Sequence, residues 1–259
     1  MFKNYWKNRS PEESSPDGEI SFIISERDDA ATLFEIKKSS ECIPEWWKSL
    51  SNTYKSDFFE KDMTLKSCIP VTDAMMSGYM LVLKHDLHIK YNKEDKKTEV
   101  SSDFERLKES FSYHSKEQVA TMPMSEEYVD DLVFKWVIKH SVKTPKGYSC
   151  LFVHPLNQAY LPFYTLSGVV DTDKFFMPVH FPFLMKNNYE GVIPKGTPIV
   201  QIIPFKRDSW NFKKYNNPGI KFEHKQEFLR RKYHAGRTSK EGKVIGGVYK
   251  KQYRSRKEY

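Results

Sequence analysis

The feature that most constrains the fold is the run from 143 to 206, where short apolar or alternating segments are separated by Pro, Gly and Asn. Segments 148–154, 177–185 and 197–205 are rich in Val, Ile, Phe and Tyr, and turn residues bound each of them: Pro145 to Gly147, Pro155 to Asn157, Lys186 to Asn188, Pro194 to Gly196. Branched and aromatic side chains suit a pleated, half-buried surface, and Gly, Pro and Asn supply the angles that reverse a chain. This is the pattern of strands and tight turns. Further strands are expected at 20–25, 32–36, 78–89 and 132–142, with Val169, Val170, Val179, Ile199 and Ile202 in the core.

At 259 residues, with 18 Phe, 15 Tyr and 5 Trp, the chain can bury a substantial core despite a mean hydropathy of −0.67. One core with two decorated ends is expected. Residues 1–19 are rich in Pro, Ser and acids and read as a mobile segment, 20–210 as the core domain with a charged excursion at 92–118, and 211–259 as an extension. Cys42, Cys68 and Cys150 are an odd set without CxxC spacing, which points to reduced thiols. No signal-like core opens the chain and no uninterrupted apolar stretch approaches a membrane span, so a soluble protein is expected.

The net charge of +8 is unevenly placed. Residues 205–259 hold 17 Lys or Arg against 5 Asp or Glu, a balance of +12, which leaves 8 − 12 = −4 for the preceding 204. A helix is expected at 219–234, with Phe222, Phe228 and Leu229 as a sparse apolar side and Gly236 as its stop.

Two pieces of the 143–206 run go beyond strands and turns. Gly168, Val169, Val170, Asp171 and Asp173 stand in SGVVDTD, and after an intervening strand Gly196, Ile199 and Gln201 stand in GTPIVQ. Together they resemble the G-V-I-D-x-D and G-D-x-I-A-Q motifs of the dUTPase and dCTP-deaminase family. The wording of IPEWWKSL (43–50), KSCIPVTDAMMSGYML (66–81) and TPKGYSCLFVHPLN (144–157) is more similar to a family of tailed-phage and bacterial proteins without an assigned activity. The resemblance covers about 43–210. It implies a mainly β fold, a dUTPase-like β-clip barrel with a charged insertion and a basic helical C-terminal extension, at work in the host cytoplasm or the virion.

For an enzyme of that kind, the resemblance makes Asp171 and Asp173 catalytic, Gly168, Val169, Asp171 and Gln201 nucleotide-binding, and Mg²⁺ the required ion. A carboxylate held rigidly at a strand start can orient a sugar and activate water. The same Asp-Thr-Asp is also an ordinary turn cap. Two departures count against hydrolysis: Met80 stands where the family's first motif has an acid, and His154-Pro155-Leu156-Asn157 replaces its phosphate-gripping P-R-S-G.

Other residues carry weaker signals. Asp86 and His88 share a strand face by period two, and with His154 and His180 on other strands they make a conceivable His/Asp metal cluster, though no spacing matches a metal signature. Trp46 and Trp47 read as an anchor for a short helical turn rather than a stacking pair. In the extension, Arg230, Arg231, Lys232, Lys250, Lys251, Arg254, Arg256 and Lys257 supply positive charge, with Tyr249, Tyr253 and Tyr259 beside them. That composition serves phosphate neutralisation with base stacking, or docking on an acidic protein partner or another copy. The expected function is therefore a non-catalytic phage-type interaction or assembly protein without a cofactor. The alternative is a nucleotide-binding or nucleoside-triphosphate pyrophosphatase enzyme.

Overall fold

The computed structural model describes residues 18–30, 32–55, 57, 62–92, 94, 97–119, 121–122, 128, 132–216, 219–235 and 249–255. The expected mobile segment up to residue 17, the stop at Gly236, and Arg256, Lys257 and Tyr259 lie outside them, as do the side chains of Lys232, Lys250 and Lys251. Among the described residues there are sixteen strands and four α-helices, so the protein is mainly β. In chain order these are β1 (Ser21–Ile23), α1 (Glu26–Ala30), β2 (Phe34–Lys38), α2 (Glu45–Ser49), β3 (Thr53–Tyr54), β4 (Asp62–Met63), α3 (Ile69–Met76), β5 (Tyr79–Leu83) and β6 (Leu87–Asn92). There follow β7 (Lys97–Ser101), β8 (Phe111–Ser115), β9 (Leu132–Trp136), β10 (Ser141–Lys143), β11 (Tyr148–Val153), β12 (Phe163–Thr165) and β13 (Gly168–Val170). The last are β14 (Phe181–Met185), β15 (Gly191–Ile193), β16 (Pro198–Lys206) and α4 (Ile220–Ala235). None of the helices is long and apolar enough to cross a membrane.

The chain divides into two compact units. The first comprises Met1–Lys38 and Gly78–Arg207, and holds the large sheets. A five-stranded antiparallel sheet runs β13-β11-β16-β5-β2 and a four-stranded one β12-β14-β9-β8, with β15-β6-β7 as a third. Among the described residues no sheet closes on itself. The five- and four-stranded sheets share one core. Trp136 of β9 stacks on Phe183 of β14 at 3.9 Å and meets Phe34 of β2 edge-on, while Phe152 of β11 lies 4.9 Å from Phe181. Rings in offset and edge-on pairs dominate such a core because each buries a large apolar area.

β16 is buried on both faces from Pro198 to Ile202. Ile199, Val200 and Ile202 are buried, and Val170 and Val179 pack against the core half-buried. Val169 corrects the expectation: it is 60% exposed. Its strand lies at the sheet edge and pairs only with β11, so Val169, opposite Leu151, lies on a face that nothing in the first unit covers fully.

Two expected strands are each broken. The run 78–89 forms β5 in the five-stranded sheet and β6 in the three-stranded one, because Asp86 turns aside to accept the Lys195 N–H at 2.6 Å. The run 132–142 forms β9 and β10, interrupted where Val137 N–H bonds Ser110 O and Ile138 N–H bonds His180 Nδ1. The residue before β5 is Gly78, at φ +70° and pressed against the Ile202 carbonyl of β16.

The second unit comprises Ser39–Ser77 and Asp208–Tyr259. In α2, Trp47 is buried and Trp46 is 38% exposed, edge-on to it at 5.4 Å. The unit is tied by Arg254, which grips Asp73 of α3 through Nη2 (2.7 Å) and Nε (3.2 Å). The Asp73 side chain is 5% exposed, so this charge-assisted fork is a structural clasp.

Candidate functional site

The SGVVDTD segment delivers its two carboxylates to one place. Asp171 and Asp173 follow β13, Ser149 is the second residue of β11, and Arg207 directly follows β16. Neighbouring strands of one sheet thus bring all four together. Ser149 Oγ donates to Asp171 Oδ1 at 2.7 Å. Arg207 Nη1 donates to Asp173 Oδ1 at 2.8 Å, to Ser149 Oγ at 2.9 Å and to the Tyr148 carbonyl at 2.8 Å, while Nη2 bonds Asp173 Oδ2. Gly147 N–H donates to the same Oδ2 at 2.8 Å.

The two carboxylates have different surroundings. Asp173 is 3% exposed, and both of its oxygens are committed. The Arg207 hydrogen bonds hold its carboxyl down at about 2. Asp171 is 50% exposed and lies 3.3 Å from Arg207. Thr172 between them points the other way, is fully buried, and donates to the Cys150 thiol at 3.4 Å. Burial pushes that thiol up to about 11, so Cys150 is an inert core residue.

Asp173 has no oxygen turned outward to a magnesium ion, because both are bonded to Arg207 or to the Gly147 N–H. The remaining nucleotide candidates have other duties. Gly168 and Val169 are exposed on the edge strand β13. Gln201 is fully buried in β16, where its Oε1 accepts the Leu156 N–H at 3.0 Å and so fixes the loop after β11. Met80 is fully buried directly opposite Gln201.

The His/Asp set does not assemble. Among the described residues no group of three or more His, Cys, Asp or Glu could hold a metal ion. His154 is buried, accepts the Thr165 N–H on Nδ1, and turns Nε2 to the Gln158 carbonyl, which fixes a neutral ring with the proton on Nε2. Burial lowers its pKa, and that of His180, below the ordinary histidine value. His88 lies on β6, and the Asp86 carboxylate before it is bonded to Lys195.

Of the basic candidates, Arg230 and Arg231 pair with Glu227 on the exposed surface of α4, and Arg254 is the partner of Asp73. Two features were missed from the sequence. Arg207 was signalled only by a basic pair ending a strand. The segment after it was signalled by Trp210, Phe212 and Tyr215 at near-alternate positions, which are 89%, 93% and 68% exposed.

No protein-family model matches this chain, and no curated protein matches its sequence.

Proposed function

We propose that the protein is a non-catalytic assembly module of the tailed-phage type, built on a dUTPase-like β-clip, which associates with copies of itself through the apolar surface beside β13. One observation carries this reading. Within the nine residues from Val169 to Met177, where a dUTPase would handle nucleotide, Val169, Phe175 and Met177 are 60%, 48% and 59% exposed. Exposed apolar side chains of that kind favour a protein neighbour over water, and an apolar surface is complementary to itself in a symmetric pair. The state of Asp173 supports the same reading, because a general base needs a lone pair facing substrate and both of its oxygens are taken. The protein then works in the host cytoplasm or within the particle, and needs no cofactor.

A nucleotide-binding enzyme is the second reading. It is favoured by Asp171, half exposed and steadied by Ser149.

Sedimentation equilibrium of the full chain separates the two, with Val169→Asp/Met177→Asp as the interface variant. The proposal expects a concentration-dependent dimer or higher species that the variant returns to monomer, and no pyrophosphate release from dUTP with Mg²⁺. A monomer at every concentration overturns it. Hydrolysis that vanishes in Asp171→Asn moves the assignment to the enzyme.

A further inference from the structure

We infer that the segment following β16, together with the start of α4, is a binding site for single-stranded nucleic acid. Residues 208–216 form neither helix nor strand, and their three aromatic rings are almost bare. Trp210 and Phe212 are the barest large hydrophobic side chains among the described residues, and rings left this exposed call for a ligand. The charge near them in the sequence selects its class. Residues 208–232 hold seven Lys or Arg against three Asp or Glu, 7 − 3 = +4, and Lys213, Lys214, Lys221 and Lys225 are all exposed. A cationic path with interleaved flat rings matches a polyanion with flat bases, and stacking tolerates any base because each has a π-face.

The spacing supports stacking. In an extended chain, residues two apart lie about 6.7 Å from each other on one side. Stacked bases repeat at about 3.4 Å, so Trp210 and Phe212 can hold one base between their rings. Lys213 already lies 5.0 Å over the Tyr215 ring, which places a cation beside the third stacking platform. Duplex bases are occupied by their own neighbours, whereas unstacked bases can reach the rings, so the site should prefer single strands.

The inference uses different residues from the apolar edge beside β13, so each can fail alone. The test is fluorescence anisotropy of the full chain with labelled oligo(dT) and with a duplex of equal length, across a salt series. Oligo(dT) should bind about tenfold tighter than the duplex. Trp210→Ser/Phe212→Ser should weaken oligo(dT) binding by about tenfold or more per ring and leave the log–log salt slope unchanged. Lys213→Gln/Lys214→Gln should flatten that slope by about 1.4, two phosphate contacts at about 0.7 each. All four positions are exposed, so matching thermal melts are expected and check that folding is intact. Equal affinity for single strand and duplex, or oligo(dT) binding by the ring variant at the wild-type level, overturns the inference. So does a ring variant that loses self-association but not oligo(dT) affinity, which assigns the segment to a protein neighbour.

Discussion

Gly78→Ala tests whether the core depends on a backbone approach that only glycine permits. Gly78 has φ +70°, and a Cβ built there lies 2.0 Å from the Ile202 carbonyl oxygen, 3.0 Å from its carbon and 3.2 Å from Ile203 Cα. The obstacle is backbone, so no side chain can swing aside. The left-handed conformation alone costs an alanine about 1 kcal/mol. Relieving the overlap requires β5 and β16 to part beside the Tyr79–Ile202 pair, an overpacking strain of about 1–3 kcal/mol. The expected loss is about 2–4 kcal/mol, a large share of the roughly 5–15 kcal/mol that holds a domain together. Gly196→Ala is the control, because Gly196 has φ +84° with nothing within 4 Å of a Cβ. It carries the conformational cost without the clash and should lose about 1 kcal/mol. Urea unfolding followed by far-ultraviolet circular dichroism reads both values. Equal losses in the two variants would refute the close-approach reasoning.

Two further outcomes follow from the same geometry. Asp173→Asn should cost about 1.5–3 kcal/mol, the range for hydrogen bonds to charged groups. The folded carboxyl titrates at about 2, below its ordinary 3.8, so its contribution is present above about pH 4 and lost as pH falls toward 2. The variant's acid-unfolding curve should be flatter there, and an unchanged curve would show that the Arg207 pair contributes nothing. The Cys150 thiol, buried and raised to about 11, should resist a thiol reagent at mildly alkaline pH until denaturant is added, whereas Cys42 and Cys68 are only half-buried. Modification of all three at one rate in the native protein would contradict that.

Much of the fold was legible because turn residues punctuate the strands wherever their backbone angles are needed: Gly196 and Asn157 both sit at positive φ at expected turns. What local pattern could not carry was partnership. An apolar run such as 78–89 looks the same whether it stays in one sheet or crosses between two, and the break depends on Asp86 meeting a backbone N–H 109 residues away. Val169 has the strand propensity of a core residue. Its exposure follows from β13 being an edge, which is a property of the sheet and not of the residue. The grouping of Ser39–Ser77 with Asp208–Tyr259 is likewise a long-range fact.

The two carboxylates after β13 tie neighbouring strands together. Asp171, Thr172 and Asp173 alternate in direction, so one turn places two acids on one side and a hydroxyl on the other. The hydroxyl side closes on Cys150 of β11. The acid side is closed by Arg207 from the end of β16 and by Gly147 from the turn before β11. Three strands are therefore stitched at one point by the residues that look most catalytic in the sequence. The cation answering those acids comes from the strand end and not from the loop after β11, where Pro155 and Leu156 offer no charge. A cation in that place neutralises Asp173 internally, enclosed at 3% exposure, so its attraction holds the sheet together. The chemistry left to this surface is that of its half-exposed Asp171 and its bare apolar edge. Asp171 meets Ser149 and Arg207 through Oδ1, while Val169, Phe175 and Met177 beside it face solvent.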